Sequence, residues 1–166
     1  MSRFDYPPVS GHPVTDPETL LRWLQLLKPH TGSWTPAPTF VTPGDFAATY
    51  SLQVGTYTDF GGRITAQFAL VTSAFTHTTA AGNLLINGLP FSSHDLTGND
   101  CVGACRWQGI TKANYTNMNC NVQPNTSYVT IRASGSGQNE ATIGAADMPT
   151  GGNVILVGTV SYLKLW

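Results

Sequence analysis

Charge is scarce in this chain. Of 166 residues, 8 are Lys or Arg and 9 are Asp or Glu, so charged side chains make up 10%. Soluble proteins usually carry about 25%. So few cations, spread along the sequence, form no basic stripe, and nucleic acid has no electrostatic footing. Long apolar runs are missing too. No stretch approaches the roughly 18 apolar residues of a membrane helix. The N-terminal MSRFDYPPVSGHPVTD lacks an apolar run after Arg3, so it does not read as a signal peptide. These absences point to a protein made in a cytoplasm, with neither membrane nor nucleic acid as partner.

Catalytic signatures are also lacking. There is no GxSxG elbow and no HExxH pair. Glycoside hydrolysis needs two carboxyls flanking a bond. Asp95 and Asp100 lie in one stretch, but acids placed so are more often turn formers. The expectation is a protein that is not an enzyme and takes no cofactor. Cysteines number 3, at Cys101, Cys105 and Cys120, and their spacing fits no paired zinc pattern even with His94 recruited. A disulfide competes with a reading as buried thiols. The alternate strand positions of Cys101 and Cys105, in a reducing compartment, favour the thiols. His12, His30, His77 and His94 fall in loops or at segment ends, where a lone histidine is ordinarily a surface residue.

What is present speaks for β-structure. Hydrophobic residues are 41% of the chain, enough for a core, and disorder is excluded by so little charge. Tyr50, Leu52 and Val54 alternate with Ser51, Gln53 and Gly55, and Ile64, Ala66, Phe68 and Leu70 alternate with Thr65, Gln67 and Ala69. Period-two alternation marks half-buried strands. Gly61-Gly62 lies between the runs at 47–60 and 63–72, where a hairpin needs positive φ. Further strands are expected at 83–87, 102–110, 119–122, 127–133, 141–143 and 154–165. The run Val154-Ile155-Leu156-Val157 suggests burial on both faces. Pro36 and Pro38 place the first strand at an edge or beside a bulge.

One helix is expected over residues 16–28. Asp16 suits the N-cap, Pro17 the first turn, and Leu20, Trp23, Leu24 and Leu27 share one face. Before it, Pro7, Pro8 and Pro13 separate Phe4, Tyr6 and Val9 in an arm that cannot fold by itself. The fold class is therefore all-β: an antiparallel β-sandwich or jelly roll of about eight strands, with an extended N-terminal arm and one short α-helix. The arm and helix occupy 1–33 and the sandwich 34–166. The expected core contains Phe68, Leu70, Leu85, Leu89, Phe91, Ile131, Ile155 and Val157.

Several phrases in order carry a resemblance. They are Trp34-Thr35-Pro36, Tyr50 to Val54, Gly55-x-Tyr57-Thr58, Gly61, and Ile86-x-Gly88-Leu89-Pro90-Phe91. Together they resemble a β-sandwich module of tailed-bacteriophage virions, found at tips of tail fibres and tailspikes. Similar trimeric jelly-roll modules serve as capsid cement or decoration proteins. The likeness covers residues 34–93 and is weaker through the C-terminal strands. It implies a homotrimer with a structural or binding role in a virion, made in a host bacterial cytoplasm.

Two functions follow. The first expectation is a decoration protein on the outer surface of the capsid, bound to the major capsid protein. Arg3, Phe4, Tyr6, Val9 and Trp23 would attach it, because the segment from Met1 to residue 33 reads as a peg with no long shaft. The alternative is a tail-fibre or tail-tip protein that contacts tail proteins and a host surface receptor. Phe75, Trp107 and Tyr115 would then be the loop aromatics that stack on glycan.

Overall fold

The computed structural model describes residues 17–26, 28–98 and 100–165. Helix α1 spans Pro17–Leu26, with Pro17 in its first turn beside Glu18. Asp16, the expected cap, lies outside the described residues. Leu20, Leu21 and Leu24 of α1 are 48%, 59% and 49% exposed.

The rest of the described chain is all-β. The strands are β1 His30–Trp34, β2 Ala37–Thr42, β3 Ala47–Phe60, β4 Arg63–Thr76, β5 Ala81–Asn87, β6 Cys101–Gln108, β7 Asn117–Val122, β8 Tyr128–Ser134, β9 Ala141–Thr142 and β10 Ile155–Leu163. They form one antiparallel ten-stranded sheet in the order β1-β3-β4-β10-β6-β7-β8-β5-β2, with β9 on β8. The sheet is curled into a half-barrel. His30 to Ser33 pair with β3 and are part of the sheet.

Strand β6 is the fold line. Its residues Cys101 to Ala104 pair with β7, and Cys105 to Gln108 pair with β10. Gly103 makes this crossing possible: a Cβ there would stand 1.8 Å from the Thr159 carbonyl oxygen. The β3–β4 hairpin turns through Gly61 and Gly62, at φ +57° and +86°. β2 carries Pro38, pairs with β5, and shifts register between Phe40 and Thr42. A proline without an N–H suits such an edge.

One core lies between the two halves. The β3–β4–β10 half contributes Ile64, Phe68, Leu70, Leu156 and Tyr162, and the β5–β8 half Leu84, Ile86, Val129 and Ile131. Phe68, Leu70 and Ile131 are buried, as their strand positions predict, and so is Leu89 just after β5. Leu85, Phe91, Ile155 and Val157 are only half-buried, contrary to expectation. In the runs Leu84-Leu85-Ile86 and Val154 to Val157, the buried residues are Leu84, Ile86, Val154 and Leu156. Strand pleating sends the neighbours of a buried residue to the opposite face, whatever their hydrophobicity.

Candidate interaction face

The outer face of the β3–β4–β10–β6 half is the molecule's most distinctive surface. Strand register lines up its outward side chains in rows. Leu52, Val71, Ile155 and Gln108 stand side by side, and so do Val54, Ala69, Val157 and Arg106. Thr56, Gln67 and Thr159 form the next row, and Thr58, Thr65 and Ser161 the one after. The face thus grades from an aliphatic band to a hydroxyl-rich band. Leu52 is 42% and Val54 50% exposed.

Between the Val54 and Thr56 rows the face dips into a groove of about 510 Å³. Its floor is the row Gly55, Phe68, Gly158 and Cys105, whose side chains, where present, turn inward. Two of these four are glycine because the core packs directly against their backbone. A Cβ on Gly158 would stand 2.5 Å from Cys120 Sγ and 2.7 Å from the Phe68 ring. A Cβ on Gly55 would stand 2.7 Å from the Trp34 indole. Trp34 is itself fixed: its Nε1–H points at the carbonyls of Thr56 (3.2 Å) and Gln67 (3.1 Å), bracing β3 against β4 from within.

The electrostatics of this face are one-sided. Arg63 and Arg106 are exposed on it, and its rows contain no carboxylate. Arg63 reaches toward Ser161 Oγ at 3.4 Å. Under the groove, a hydrogen bond with Cys120 lowers the pKa of the Cys105 thiol, against the opposing effect of burial. The same hydrogen bond, and then burial, push Cys120 far up. Burial raises Cys101. None of the three is in a disulfide. Among the described residues no three His, Cys, Asp or Glu side chains gather to hold a metal ion. The groove offers aliphatic walls, hydroxyl and amide hydrogen bonds, and one guanidinium. That is chemistry for holding an apolar segment with an acidic end.

The sequence-based site residues are scattered. Arg3, Phe4, Tyr6 and Val9 lie outside the described residues, and so does the side chain of Trp23 on α1. Phe75 is not a host-facing loop aromatic. It lies on β4, is 1% exposed, and packs against Phe46 at 4.8 Å and Phe40 at 6.2 Å between ring centroids. Trp107 is on β6, half-buried against the core. Tyr115 is half-buried in the loop after β6; its hydroxyl donates to the Asn139 carbonyl at 2.9 Å, and Lys112 Nζ stands 5.6 Å from its ring centroid. These three do not converge on one surface patch. His77, expected at the surface, is buried beside Phe40 and Phe75, with Nε2 unpaired. The outer-face rows were missed because no single strand shows them; they exist only once register is known.

No family model matches the chain, and no curated protein matches it. Among solved structures, the fold is similar to the crystal structure of the Dettilon tailspike protein, with a TM-score of 0.55 and 20% sequence identity. The likeness covers 80% of this chain and 23% of that one, so the chain spans about a quarter of the length of the protein it resembles. Similarity at that identity is a likeness of fold.

Proposed function

We propose that this chain is a structural module of a phage tail, assembled as a homotrimer and acting by binding, without catalysis. The observation that carries the reading is the shared fold with part of a tailspike protein over 80% of the chain. The phrases between Trp34 and Phe91 add to it. The curled sheet is, on this reading, a tail-fibre or tailspike sandwich module of the jelly-roll kind. The expected role as a capsid decoration protein has no comparable support and takes second place.

In keeping with a non-catalytic role, three of the described carboxylates are engaged in holding the fold. Asp59 is paired with Lys164, Asp147 with Lys112, and Asp45 is capped by Thr78 and Thr79. No helix among the described residues is long and apolar enough to cross a membrane. The outer face, with its groove, is the surface we assign to protein partners in the virion.

Electron microscopy of virions that contain the chain, labelled with antibody against residues 30–165, tests the location. Label on the tail is expected. Label confined to the head would restore the decoration reading and overturn this one.

A further inference from the structure

We propose that α1 of one copy docks across the outer-face groove of a second copy, and that this exchange holds the assembly together. The inference rests on the chain associating with copies of itself, and it names the contact. Three features of the molecule fit one another.

The first is apolar match. α1 keeps Leu20, Leu21 and Leu24 in solvent, and the groove wall presents Val54, Ala69 and Val157. A helix of 10 residues is marginal by itself in water and needs a surface for its leucines. The second is length. Ten residues make a helix about 15 Å long. Four adjacent strands, β3 to β6 in sheet order, measure about 14 Å from first to last at about 4.8 Å per step. The third is charge. Exposed Glu18 stands in the first turn of α1, and exposed Arg106 closes the β6 end of the Val54 row. With its N-terminus over β6, the helix brings Glu18 to Arg106 and lays its leucines toward Val157, Ala69 and Val54.

The occupant is a second copy because the chain's own helix falls short. β1 begins at His30, which pairs with Asp59, four residues along β3 from the groove floor at Gly55. That offset is about 13 Å along the strand, and the step from β1 to β3 adds about 5 Å across it. The four residue steps from Leu26 to His30 reach at most about 14 Å, which the path within the sheet already uses up, and a helix about 10 Å across must also stand clear of the sheet.

Sedimentation of the full chain tests the contact. The wild type should sediment as a multiple of 17.7 kDa. L21E/L24E on the helix and V54E on the groove wall should each shift it to the single-chain mass, with circular dichroism unchanged. V41E, on a still more exposed valine of β2, should leave the assembly intact. E18R should weaken association, and E18R/R106E should restore it at least in part.

A wild-type chain that sediments as a monomer would overturn both self-assembly and this contact. If L21E/L24E dissociates the assembly and V54E does not, helices pair with helices; self-assembly stands and the groove contact is refuted. If V54E dissociates it and the helix variant does not, the groove takes another occupant and the proposal also fails.

Discussion

Lys164 Nζ lies 2.6 Å from Asp59 Oδ2, although 105 residues separate the two in sequence. The pair ties the end of β10 to the β3–β4 hairpin. Both side chains are largely buried, the Gly62 N–H also donates to Asp59 at 2.9 Å, and Lys164 Nζ stands 5.0 Å from the Phe91 ring centroid. Burial would raise the Asp59 pKa, but the Lys164 hydrogen bond, the Gly62 N–H, and the charges of Lys164 and His30 outweigh it and hold it below 3.8. A carboxyl with a lowered folded-state pKa stabilises the fold above its unfolded value, and that stability is lost as pH falls through the folded one. Melting temperature should therefore decline as pH drops below about 4. Asp59→Asn should flatten part of that acid limb. At neutral pH, Asp59→Ala should cost about 3 kcal/mol, because it removes one partner of a largely buried ion pair. An unchanged acid limb in the Asn variant would refute the pairing.

Two glycines at the fold line should differ in tolerance. At Gly158 the obstacles to a methyl are a thiol and an aromatic edge, which can shift. At Gly103 the obstacle is the Thr159 backbone oxygen, fixed in β10. Gly158→Ala should cost about 1–3 kcal/mol by overpacking. Gly103→Ala should cost more, or prevent folding. Equal melting temperatures for the two variants would contradict the crossing of β10 over β6.

The pleat of β10 and β4 makes a third prediction. Phe68→Ala should cost about 3–5 kcal/mol, as for a fully buried phenyl group. Val157→Ala, on the outer face beside Ala69, should cost about 1 kcal/mol or less as a single chain, since part of the side chain is already in water. Chemical denaturation of both variants checks the order. A larger loss at Val157 would reverse the two faces of the sheet.

Thiol reactivity supplies a fourth. The thiolate is the attacking species. Cys105 lies half-buried in the floor of the groove with its pKa lowered by the Cys120 hydrogen bond, while burial raises Cys101 and Cys120 is fully covered. With an aromatic disulfide reagent near neutral pH, Cys105 should react first and Cys120 last. Cys105→Ser should remove the fast phase. A fast phase that survives this change would place the reactive thiol elsewhere.

Much of the sheet was legible from alternation. The hairpin of β3 and β4 was evident from its two runs and its Gly-Gly turn. Misreadings came where alternation carries no phase, or changes it. Leu84-Leu85-Ile86 and Val154 to Val157 are apolar throughout, so the sequence does not say which residues face in. Phe75 was placed in a loop for a different reason. In β4 the buried positions run 64, 66, 68, 70, 72 and then 75. The slip lies opposite the irregular register of β3 around Tyr50, where a bulge inserts an extra residue and turns the following side chains over. Neither the fold line in β6 nor the outer-face rows could be read locally. Both depend on which strands become neighbours across long stretches of sequence.

The order of the strands has one more consequence. The sheet ends at β1 on one side and β2 on the other, and the chain joins these two strands through Thr35 and Pro36 alone. Open sheet margins are where one molecule can recruit another by backbone hydrogen bonding and grow without limit. Here the two margins are tethered within two residues of each other, and one carries a proline that cannot donate. An incoming strand that approaches this corner meets the Thr35-Pro36 link in place of a free border. In a module with little charge to keep its copies apart, this corner is one place where edge-to-edge growth is hindered.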